Sequence, residues 1–95
     1  MGGLAKIQFN DAKIDDLLIT RDFKTVLHVV KSGDVMDSFS PESPVLKCIM
    51  SIGDAWEEDQ ITIDYFNSEF YGPIPLKNKD KLIKELIRLE KEHGE

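Results

Sequence analysis

The chain has a single cysteine, Cys48, among its 95 residues. No internal disulfide can form, so stability must come from a packed core, and a reducing, cytoplasmic location is expected. One Cys and two His cannot supply the four nitrogen or sulfur ligands of a structural zinc site. The six glycines, Gly2, Gly3, Gly33, Gly53, Gly72 and Gly94, never fall into the GxGxxG or GxxxxGK[ST] spacing that cradles phosphates. Nucleotide binding through those motifs is excluded. Long apolar runs are also missing, since none approaches the roughly 20 residues that span a bilayer. The opening Met1-Gly2-Gly3-Leu4-Ala5-Lys6 lacks a signal-peptide apolar stretch, and Lys6 stands where a myristoylation signal has Ser or Thr. No membrane association is expected.

An excess of positive charge is absent as well. Lys and Arg number 12 against 18 Asp and Glu, for a net charge of −6 and a pI near 4.8. Nucleic-acid binders neutralise phosphates with a basic patch. The densest positive stretch here, Lys77, Lys79, Lys81, Lys84, Arg88 and Lys91, is interleaved with Asp80, Glu85, Glu90, Glu92 and Glu95, so residues 77–95 sum to only +1. Aromatic stacking on single strands would want cations around Trp56, Tyr65, Phe66, Phe70 and Tyr71, and acid surrounds them instead.

What is present is the composition of one folded domain spanning 1–95. Apolar residues make 41% and aromatic residues 8%, well above the range of disordered chains. Asn and Gln are few (Gln8, Asn10, Gln60, Asn67 and Asn78) while Lys and Glu dominate the charges, a bias shared with thermophile proteins.

Residues 4–9 alternate in the manner of a half-buried strand, with Ile7 and Phe9 on one face and Lys6 and Gln8 on the other. Ala12 to Thr20 reads as a short helix or as a return strand. From Arg21 to Ser32, Phe23, Val26, Leu27 and Val30 have helical spacing with Gly33 as a C-cap, yet the density of β-branched residues favours a strand. In the strand reading Ser32-Gly33-Asp34 is a hairpin turn leading to Val35–Phe39. Ser40-Pro41-Glu42-Ser43-Pro44 then carries helix-start chemistry, and Val45, Cys48, Ile49 and Ile52 repeat at helical intervals. A short helix over 43–53 is predicted. Gln60 to Phe66 alternates as a strand, with Ile61, Ile63 and Tyr65 on one face. Gly72-Pro73-Ile74-Pro75 reads as a connector. Asn78 can cap a helix over 79–93 in which Leu82, Ile83, Leu86, Ile87 and Leu89 form a broad apolar stripe. The expected fold class is α+β: a small, mainly antiparallel sheet packed by a long C-terminal helix and one or two shorter helices.

Chemistry-bearing residues are sparse. Cys48 and His28 are a conceivable nucleophilic pair, but Cys48 on an apolar stripe is expected to be an inert core residue, and no enzyme activity is predicted. The carboxylates are more informative. Residues 1–33 sum to +1, whereas residues 34–70 sum to −8, so the acidity of the chain is concentrated in its middle. Asp54, Glu57, Glu58 and Asp59 fall within six residues of one loop, and hard cations such as Ca²⁺ are bound by converging carboxylate and backbone oxygens. Asp34, Asp37 and Asp64 are candidates to complete such a site. The EF-hand pattern does not apply, because Trp56 takes its third position and Asp59 the place of its glycine. A solvated acidic loop, anchored to the core by Trp56, is the plainer reading of the same residues. A third is an interaction module that shows an acidic face to a basic partner protein, with Trp56 or Phe66, Phe70 and Tyr71 as apolar anchors.

In its length, its Lys/Glu usage and the stretch Gly53-Asp54-Ala55-Trp56-Glu57-Glu58-Asp59, the chain resembles small uncharacterised α+β proteins of methanogenic archaea. That resemblance implies an acidic pocket and calcium binding.

Overall fold

A computed structural model of the protein describes residues 5–37, 39–53, 56–62 and 68–93. Among these residues six strands form one sheet: β1 (Lys6–Gln8), β2 (Asp16–Ile19), β3 (Thr25–Lys31), β4 (Pro44–Ser51), β5 (Ile61–Thr62) and β6 (Glu69–Pro75). Helix α1 (Ser32–Val35) lies between β3 and β4, and α2 (Lys79–His93) follows β6. The spatial order is β1-β6-β2-β3-β4-β5, and every pairing is antiparallel. Strands β2 to β5 run as a meander, and β6 returns to lie between β1 and β2. The α+β expectation, with a mainly antiparallel sheet and a long C-terminal helix over 79–93, holds.

Both faces of the central strands are buried. Phe9, Leu18, Leu27, Val29, Leu46, Cys48 and Phe70 form one cluster, with Ile7, Ala12, Ile14 and Trp56 packed against it. Leu17, Ile19, Val26 and Ile74 form the other, together with Leu82 and Leu86 of α2. Successive strand residues point to opposite faces, so a strand covered on both sides needs apolar residues at consecutive positions. That requirement explains two differences from expectation. Residues 43–53 are not a helix but strand β4, whose run Val45-Leu46-Lys47-Cys48-Ile49-Met50 mimics helical spacing because it serves two cores. The 21–32 segment resolves as strand β3 for the same reason, and Ala12–Thr20 resolves in favour of strand β2.

The partner of β3 also differs from expectation. Ser32-Gly33-Asp34 opens α1 rather than a tight hairpin, and the strand that returns along β3 is β4, not the predicted Val35–Phe39, of which Ser38 lies outside the described residues. The Ser32 and Gly33 amides donate to the carbonyls of Ser43 (2.8 Å) and Pro41 (2.9 Å), which closes a wide connection and lets β4 begin at Pro44.

The predicted connector Gly72-Pro73-Ile74-Pro75 instead lies within β6. Leu17 pairs with Ile74 and Ile19 with Tyr71, so Gly72 and Pro73 together face Leu18 in a bulge. A bulge accommodates a proline that a regular ladder would reject. Gly72 has φ +145°, and a Cβ on it would stand 3.0 Å from the Leu17 carbonyl oxygen. Of the predicted 60–66 strand, Ile61 and Thr62 are strand β5, and 63–67 lie outside the described residues. In α2, Leu82 and Leu86 are buried while Ile87 is 41% exposed, so the apolar stripe is narrower than the sequence suggests.

Candidate functional site

Among the described residues, the acids of the middle of the chain lie in the β3–β4 and β4–β5 connections, apart from Glu69 on β6. Asp34 stands on α1 and Asp37 just beyond it, both exposed. Glu42 is also exposed and its carboxylate lies 3.4 Å from Lys31 Nζ.

The second acidic group is a turn held against β4. The Gln60 amide donates to the Glu57 carbonyl (3.0 Å), and the Glu57 amide donates to Gln60 Oε1 (3.1 Å). Asp59 adopts a left-handed conformation (φ +67°), which Asp tolerates better than most residues. Its amide donates to the Cys48 carbonyl (2.8 Å), and the Cys48 amide donates to the Gln60 carbonyl (2.8 Å). This ladder presents the side chains of Glu57, Glu58 and Asp59 to solvent. Asp59 Oδ1 is 3.3 Å from Lys47 Nζ, so one carboxylate of the group is already matched by a cation of the chain.

Trp56 is half-buried and packs on the cluster of Phe9, Leu18 and Phe70, the anchoring role expected of it in a solvated loop. Asp54 and Asp64 lie outside the described residues.

The described members of the predicted set, Asp34, Asp37, Glu57, Glu58 and Asp59, fall in two places on the chain. The β3–β4 connection enters β4 at Pro44 and the 57–60 turn is tied at Cys48, four residues along, a separation of about 13 Å on an extended strand. Among the described residues, no three His, Cys, Asp or Glu side chains are grouped so as to hold a metal ion.

The proposed apolar anchors are likewise rearranged. Phe70 is buried in the core, and Tyr71 stacks on Phe23 with ring centroids 4.6 Å apart. Phe66 lies outside the described residues. Among the described residues of the acidic region, the exposed large apolar side chains are Met36 (37%) and Phe39 (108%), in the β3–β4 connection. The sequence signal for them is the run Ser38-Phe39-Ser40-Pro41, whose turn chemistry argues for a loop rather than a core strand.

Cys48 and His28 do not form a nucleophilic pair. Cys48 is fully buried beside Leu27, whereas His28 faces Lys47 in the ladder and so leaves the sheet on the other side. His28 Nε2 sits 3.2 Å from Asp15 Oδ1. The Cys48 thiol is held above its usual pKa by burial first, and secondarily by the negative charges of Glu58 and Asp59. Both effects disfavour a reactive thiolate.

Compared with protein-family models, curated proteins and solved structures, the chain matches none. Among the described residues, no helix is long and apolar enough to cross a membrane.

Proposed function

We infer that this domain is an interaction module that offers an acidic surface to a basic partner protein. The observation that carries this reading is the spread of the carboxylates. Asp34, Asp37, Glu42, Glu57, Glu58 and Asp59 are all exposed and occupy two separate connections rather than one pocket. A single cation is bound by several oxygens at 2.3–2.6 Å, which demands convergence. An extended surface of like charge is instead matched by several Lys or Arg side chains of a protein, and such complementarity accelerates encounter and selects partners. The calcium reading, with Asp54, Glu57, Glu58 and Asp59 as oxygen donors, is the competing outcome. The two are separated by titrating the ¹⁵N-labelled protein with millimolar Ca²⁺ and, in parallel, with a Lys-rich peptide. The interaction reading predicts that the peptide shifts amides in both connections and that Ca²⁺ moves none of them. Saturable Ca²⁺ shifts confined to residues around 56–60, with no response to the peptide, would replace it with the cation reading.

A further inference from the structure

Among the described residues, the side chain with the greatest exposure mismatch is Phe39. It is 108% exposed, and Met36, three residues before it, is 37% exposed. Single apolar side chains on a surface are ordinary, but these two share a connection whose base is closed. The Ser32 and Gly33 amides are bonded to the Ser43 and Pro41 carbonyls, and the Met36 and Ser43 amides to those of Ser32 and Ser40. Gly33 packs so closely on Pro41 that a Cβ there would lie 2.5 Å from the proline Cβ. The base of the connection, residues 32–36 and 40–43, is therefore braced on either side of Phe39, which lowers the ordering cost of using the connection for docking.

Charge defines what can receive it. Residues 32–46 contain Asp34, Asp37 and Glu42 and no Lys or Arg. Glu42 is matched by Lys31 at 3.4 Å, which leaves Asp34 and Asp37, within five residues of the aromatic, as the net charge of the connection; two such acids disfavour an anionic lipid surface, and the net charge of −6 opposes pairing with a second copy of this chain. We propose that the β3–β4 connection is the docking element for the basic partner, with Phe39 entering an apolar pocket whose rim carries Lys or Arg. This rests on the interaction reading and names the contact that carries its affinity. Buried aromatic anchors ringed by polar contacts are the usual concentration of binding energy at interfaces.

The test uses the full chain and two synthetic peptides of equal charge, an amphipathic Lys/Leu helix and a Lys/Gln control. The Lys/Leu peptide is expected to bind more tightly than the control and to shift the amides of 34–37 and 39–43. F39A should weaken that binding by about tenfold or more, and F39W should keep it with a blue shift of the new indole emission that occurs only on adding the peptide. Unchanged circular dichroism and melting of F39A make the loss specific. Equal binding of both peptides, with F39A within about twofold of the parent, overturns the Phe39 assignment while leaving the acidic-surface reading standing. Binding of neither peptide overturns both. A dimer of the free protein that F39A dissociates also overturns it, in favour of self-association.

Discussion

Phe23 is the residue whose backbone and side chain pull in opposite directions. It sits in the β2–β3 turn at φ +60°, a conformation that is costly for a bulky residue, while its ring stacks on Tyr71 at an interplanar angle of 15°. Removing the ring and keeping the Cβ loses the stack without relieving the backbone. Phe23→Ala is therefore predicted to be less stable than Phe23→Gly by about 1 kcal/mol, the reverse of the usual Ala–Gly order, as read from urea midpoints. Cys48 supplies a pH effect. Its thiol is neutral and its folded pKa is raised, so the unfolded chain ionises first, and stability is complete below the ordinary thiol pKa and declines as pH rises through and above it. Melting between pH 8 and 10 should fall more steeply for the parent than for Cys48→Ala, and thiol reagents should modify Cys48 only when the protein unfolds. The buried, inert nature of this cysteine was legible from its apolar neighbours. The left-handed backbone of Phe23 was not, because nothing in a bulky aromatic's local sequence signals that conformation.

At the scale of elements, α2 and the central strands obey different rules. Helix α2 covers one face of the sheet with Leu82 and Leu86 and is braced outside by Arg88, which pairs with Glu85 and, at 2.7 Å, with Glu92. The hydrogen bond from Arg88 holds the Glu85 carboxyl below its usual pKa, but Arg88 is exposed and Glu85 only half-buried, so solvent screens the pair and it contributes little. Burial decides instead: Leu86→Ala should cost about 2–5 kcal/mol, whereas Ile87→Ala, one position on, should change stability by under about 1 kcal/mol in chemical denaturation. The helix was legible because one covered face leaves a clean 3.6-residue pattern. Strand β4 was read as a helix because a segment buried on both sides has no period-2 pattern to show. Gly72-Pro73 misled for a related reason: a bulge defined by a distant strand, β2, permits what local chemistry forbids.

For the molecule as a whole, charge was more legible than geometry. The −8 of residues 34–70 could be summed from the sequence, and six of its nine acids, Asp34, Asp37, Glu42, Glu57, Glu58 and Asp59, map onto exposed connections flanking β4, while Glu69 stands on β6. Whether carboxylates converge depends on which strand ends lie together, a property of topology rather than composition. Asp34 and Asp37 stand on and just after α1, before β4, and Glu57, Glu58 and Asp59 follow β4 and are tied back to Cys48, so the described carboxylates belong to two different connections. Contact made through such a surface must also weaken with salt, because exposed charges are screened within about 8–10 Å at physiological ionic strength. The Lys/Leu peptide should accordingly bind several-fold less tightly at 0.5 M than at 0.05 M salt, while the ratio between parent and F39A stays constant, since the aromatic contribution is not screened.

The central claim, an acidic surface that reads a basic protein rather than a metal ion, is tested most directly by amide chemical-shift mapping of the whole chain with Ca²⁺ and with the Lys-rich peptide in separate titrations. The account predicts salt-sensitive peptide shifts across 34–43 and 57–59 and a spectrum indifferent to Ca²⁺. A saturating Ca²⁺ response at 57–59, with the peptide silent, would contradict it.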